Sequence, residues 1–145
     1  MKKIALLIAL GCLGARPAQA NPDGDVLVAA GVVGTWAQNC DKAPARENAY
    51  LIYTAPADGP PTEQLVMDED LDRTNPLSEV RLLSADKLHW VQADGEGSFT
   101  IVNLIERMRL KTWSSIDAKG KVYIHDGVFS GGADEAPWFN RCPIK

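Results

Sequence analysis

From Gly34 onward, short runs rich in β-branched and aromatic residues recur about every ten to fifteen positions, separated by turn formers. This pattern predicts strands over 36–40, 49–54, 64–68, 78–83, 87–93, 99–106, 109–116 and 121–125. Within them, alternate positions differ in character. Tyr50 and Ile52 share one face of their strand, and Leu51 and Tyr53 share the other. Phe99, Ile101 and Ile105 share a face that Asn103 interrupts, while Val102 and Leu104 make the opposite face apolar too.

The links carry turn chemistry. Ser84-Ala85-Asp86 is short enough for a hairpin, and Gly95, Gly97 and Gly120 supply positive φ in two further turns. Pro60-Pro61 and Asn75-Pro76 punctuate longer connections. No long segment shows a 3.6-residue apolar period, so helix is limited to a short turn over 26–30 that Asp25 would cap. Eight strands with short links fit an all-β domain, either an up-and-down barrel or a small sandwich.

The first twenty residues have another logic. Lys2 and Lys3 precede an uncharged stretch over 4–13, too short to span a bilayer, and Ala18-Gln19-Ala20 gives the small-x-small pattern of a cleavage site. A secretory signal over 1–20 is expected, with a single mature domain over 21–145. Export to the periplasm, or secretion, follows from that expectation. Three basic residues leave with the signal while all 19 acids remain, so the net charge of −4 becomes about −7. Without a Lys/Arg cluster, so acidic a surface speaks against nucleic acid and anionic lipid.

Of the three cysteines, Cys12 lies in the signal. Cys40 and Cys142 remain as a pair in a compartment that favours disulfides. With no Cys-x-x-Cys spacing and no neighbouring histidines, a structural staple is the better reading than a redox or metal pair. Trp36 and Cys40, four apart, are expected on one strand face.

Signals for catalysis are sparse. The chain has two histidines, His89 and His125, and no Gly-x-Ser-x-Gly elbow. Ser130-Gly131-Gly132 lacks the Gly-Lys-Ser/Thr of a phosphate loop. His125 and Asp126, adjacent on a strand, would point to opposite faces. Asp68, Asp70, Asp72 and Glu79 match the acidic spacing of a calcium loop, yet Arg73 stands where a glycine is needed and Pro76 stiffens the second half. The segment reads instead as an acidic, exposed connection. Neither metal nor cofactor is expected, and no enzyme.

Four tryptophans and three tyrosines make many large rings for so short a chain. They either fill a core or line a binding cavity. Gly34-Thr35-Trp36 at the start of the first strand resembles the Gly-x-Trp of the lipocalin and wider calycin group. That resemblance implies an eight-stranded antiparallel barrel that binds small apolar ligands or protein surfaces. It also implies that a late arginine, here Arg141, packs across Trp36 and closes one end. The segments 112–115 and 137–142 also resemble small periplasmic proteins of Gram-negative bacteria, which implies a compartment and no activity.

The reading that results is a non-enzymatic periplasmic module taking a small apolar ligand in its mouth through Trp90, Trp113 and Tyr53. Its rival is an interaction or inhibitor protein acting through loops 56–63 or 130–137.

Overall fold

The computed structural model describes residues 21–68, 70–95 and 97–144. The expected signal segment lies outside them. Element α1 (Pro22–Ala29) comes first, then β1 (Gly34–Ala37), β2 (Tyr50–Thr54), β3 (Thr62–Asp68), β4 (Leu71–Leu82) and β5 (Lys87–Asp94). These are followed by β6 (Gly97–Glu106), β7 (Arg109–Asp117), β8 (Val122–His125), β9 (Val128–Phe129) and β10 (Phe139–Arg141).

Strands β1 to β7 pair antiparallel in sequence order. Short β10 then inserts between β1 and the first half of β7, pairing Trp36 with Arg141 on one side and Leu110 with Phe139 on the other. This makes a closed eight-stranded antiparallel barrel. Closure leaves no edge along the seam, which answers the liability of unpaired strand groups.

The strand count was legible, but one member was misassigned. The eighth barrel strand is β10 and not the run over 121–125. That run is β8, which pairs with the second half of β7 and turns into β9 to form a flap outside the barrel. Asp126 and Gly127 both take positive φ between the paired His125 and Val128, the two-residue turn suited to a tight hairpin. Asp-Gly was the sequence signal for this flap.

Strand β4 also corrects the reading of 68–79 as a connection. Asp68 ends β3, Asp72 pairs with Val66, and Pro76 pairs with Thr62 inside the ladder. Glu79 sits in a bulge at φ 54°, where the register shifts between Ser78 and Arg81. The four acids are therefore spread over a hairpin and a long strand. Among the described residues no cluster of metal-ligating side chains forms.

Helix α1 begins earlier than expected. Asn21 rather than Asp25 caps it, its Oδ1 accepting from the Gly24 N–H at 3.1 Å, with Pro22 in the first turn. Asp23 reaches β4 by accepting from the Val80 N–H at 2.9 Å. Leu27 is fully buried in the core, so α1 lies over one end of the barrel. Among the described residues no helix is long and apolar enough to cross a membrane.

Cys40 and Cys142 are bonded, their Cα atoms 5.4 Å apart. Their surroundings differ from expectation. Strand β1 ends at Ala37, and the chain folds back so that Cys40 lies beside Thr35 and Tyr50. Those two residues alternate with the inward Trp36 and Leu51. Trp36 and the disulfide thus occupy opposite faces, and the bridge staples the seam from outside.

Candidate functional site

Alternation along the barrel strands assigns an inward set. At the α1 end it is apolar and closed. Trp36, Leu88 and Leu110 are all at most 1% exposed, packed with Val32, Leu27 and Phe139. The Trp36 indole donates to the Val32 carbonyl at 2.7 Å. Arg141 spans the same end: its guanidinium donates to the carbonyls of Gly31 at 2.6 Å and Val33 at 2.8 Å, and stands 5.9 Å from the Trp36 ring centre. The tight turns before β1 need glycine, with φ of 71° at Gly31 and 134° at Gly34. An added Cβ at Gly34 would sit 3.5 Å from the arginine.

Alongside this apolar set, other inward positions are polar. Tyr53 donates from its hydroxyl to Glu63 at 2.8 Å, and the Gln92 amide donates to the other Glu63 oxygen at 3.0 Å. The Tyr53 and Trp90 rings meet at 5.4 Å, tilted by 58°. Tyr53, Glu63, Trp90 and Gln92 are all less than 9% exposed. Among the described residues, four inward atoms sealed from solvent find no hydrogen-bond partner: Asn75 Nδ2, Trp90 Nε1, Gln92 Oε1 and, opposite Leu88, Asn103 Nδ2. An unmet buried polar group costs about 1–3 kcal/mol.

Glu63 has no cation within ion-pair distance among the described residues, although Arg73 exerts a weaker pull. Burial raises its carboxyl above the ordinary glutamate range, against the opposing effects of Tyr53, Gln92 and Arg73. Burial, and then the neighbouring Glu63, also push the Tyr53 phenol well up.

Above this floor the inward side chains open to solvent. Leu51, Leu65, Met67 and Ile101 pack on the core yet are only partly buried. At the rim, Arg73 and Asp94 pair at 3.0 Å, and Asp117 is held below the usual carboxylate range, chiefly by the backbone N–H of Lys121. The barrel therefore has a plugged end and a shallow mouth with a polar floor.

The named candidates divide between locations. Tyr53 and Trp90 are in the floor. Trp113 is not, because it occupies a bulge where Val102 pairs with Ser114 and Asn103 with Thr112. Its ring faces outward beneath Lys87 Nζ at 4.6 Å, and the added Cβ of Gly127 would touch it. Trp113 helps seat the β8–β9 flap, alongside Lys111, which is bound to Glu135 at 2.8 Å. The bulge reverses the parity a simple count assumes. Trp36 and Arg141 sit at the plugged end.

Sequence reasoning missed Glu63, Asn75 and Gln92, and saw Asn103 only as an interruption. Alternation is the available signal: Gln92 is in phase with Trp90, and Glu63 lies one residue before the strand predicted over 64–68. As for the histidines, His89 contacts the Glu79 carbonyl at 3.1 Å and Arg81 at 3.3 Å, and exposed His125 meets Asp126 at 3.2 Å. Among the described residues neither forms a hydrogen bond to a serine or threonine hydroxyl. Comparison with protein-family models, curated proteins and solved structures finds no match to this chain.

Proposed function

We propose that the protein is a non-enzymatic binding module of the periplasm that takes a small ligand into the barrel mouth opposite α1. One observation carries this reading: Leu51, Leu65, Met67 and Ile101, all inward-facing, remain partly exposed above a floor whose buried polar atoms lack partners. A fold selected only for stability would close such an end with larger apolar groups, as the α1 end is closed. The lipocalin-like resemblance carried by Gly34-Thr35-Trp36 supports the same reading. The polar floor modifies the expectation of a purely apolar ligand.

Native mass spectrometry of protein purified from the periplasm tests the reading. A retained small molecule that is lost from a Leu65→Trp variant, whose added ring fills the mouth, is the expected result. An empty wild-type chain in every preparation, together with unaltered spectra across a small-molecule panel, would refute it.

A second reading has its own observation. Val28, Leu82, Leu83 and Met108 are all more than half exposed, and they come from α1 and from two hairpins at the plugged end. Those hairpins are neighbours, since the Ile105 N–H donates to the Asp86 carbonyl. Such a patch fits a protein contact. In the same spectra it would show as an intact protein partner lost on Met108→Glu.

A further inference from the structure

Resting on the mouth-binding reading, we propose that the ligand is an aliphatic molecule whose inner end is an uncharged group able both to donate and to accept a hydrogen bond, such as an alcohol or a carboxamide. Carboxylates of the same length are turned away.

The walls set the tail. Leu51, Leu65, Met67 and Ile101 offer hydrocarbon contact and no polar group, so the part of the ligand near the rim is apolar. The floor sets the head. Its unpartnered atoms are of both kinds, because Trp90 Nε1 can only donate and Gln92 Oε1, as placed, only accept. Turning an asparagine amide exchanges its donor and acceptor, but the indole N–H stays a donor in every arrangement. An ammonium has no lone pair and leaves Trp90 unmet. A carboxylate has no proton to give and leaves Gln92 unmet. A hydroxyl or a carboxamide can meet both.

Charge points the same way. Glu63 lies 7% exposed between Tyr53 and Gln92, with no ion-pair partner. A second carboxylate brought into this poorly solvated space meets repulsion that water does little to screen. Because the four unpartnered atoms are sealed from solvent, the head reaches them by parting the half-exposed side chains above, with Glu63 already fixed by its two hydrogen bonds.

Four probes of equal chain length test the proposal on the full mature chain: 1-octanol, octanamide, octylamine and octanoate. Titrations at pH 8 would be followed by tryptophan fluorescence and by chemical shifts of the Ile101 methyl groups. The expected result is that octanol and octanamide bind at least tenfold more tightly than octanoate, with octylamine weaker than octanol. Glu63→Gln should raise octanoate affinity at least fivefold. Trp90→Phe, which removes a donor without a partner, should weaken octanol severalfold in a protein that still unfolds cooperatively. Octanoate or octylamine binding as tightly as octanol overturns the selectivity while leaving the mouth as a site. Failure of all four probes to move the Ile101 signals removes both the selectivity and the binding reading beneath it.

Discussion

Two buried indoles show how differently the ends of the barrel are built. Trp36 and Trp90 are both sealed from solvent, and both sit in the inward layer of a closed sheet. Trp36 gives its N–H to the Val32 carbonyl and is spanned by Arg141, whose own donors end on Gly31 and Val33. Trp90 finds no acceptor for its N–H among the described residues. Near Trp36 the surroundings are Leu, Val and Phe, whereas near Trp90 they include Glu63, Gln92 and an unmet amide. A core whose polar groups are all matched is what stability favours, and an unmatched one persists where another constraint retains it. The difference sets an indole with a matched donor apart from one whose donor is unmatched among the described residues.

Breaking the seam should have the largest effect. Cys40 and Cys142, 102 positions apart, tie β10 to the chain just after β1, and those two strands meet where the barrel closes. A loop of that length is worth roughly 4–5 kcal/mol in the chain-entropy picture. Cys40→Ser or Cys142→Ser should lower urea stability by a large part of that under oxidising conditions. Equal midpoints for variant and wild type would show that the seam holds without its staple.

The indoles come next. Trp36→Phe strands the Val32 carbonyl and disturbs the ring under Arg141, whereas Trp90→Phe deletes a donor that had no partner. The first should cost about 1–3 kcal/mol more than the second, the usual penalty for orphaning a buried group. Chemical unfolding of the two variants side by side decides the matter. Equal losses would erase the distinction between the ends.

Much of the barrel could be read from residue patterns because period-two alternation and turn residues are local properties. What escaped was not local. Phe139–Arg141 is a three-residue strand held from both sides by β1 and β7, and nothing in its own composition demands extension. The first half of β4, Leu71 to Leu77, looked like a connection because Asn75-Pro76 is a turn signal. Pairing with β3 overrides it, and Leu77 bonds back to the Pro61 carbonyl. The site divided in the same way. Trp36, Tyr53 and Trp90 were conspicuous as large rings, while Glu63 and Gln92 become notable only when strands β3 and β5 bring them together. Trp113 lies apart from them because a bulge, invisible in composition, sets it beside the flap.

The gentlest test replaces Glu63 with glutamine and follows stability against pH. In the unfolded chain this carboxyl ionises in the ordinary glutamate range, near 4.3. In the folded protein burial holds it protonated to higher pH. The unfolded state therefore gives up its proton first, so wild-type stability falls as pH rises from that ordinary range through the raised folded value, and is level beyond. Tyr53 adds a similar decline only in the alkaline range, since its phenol is also pushed up. Asp68 and Asp117 carry the opposite sign, because hydrogen bonds to Arg46 and to the Lys121 backbone hold them low. Their contribution disappears as pH falls below the usual aspartate range. Glu63→Gln should accordingly abolish the decline just above the glutamate range, leave the acid limb in place, and gain less than about 2 kcal/mol at neutral pH. Parallel stability profiles for the two proteins would mean that Glu63 is solvated in solution, and the polar floor would then lose the feature that sets it apart from the plugged end.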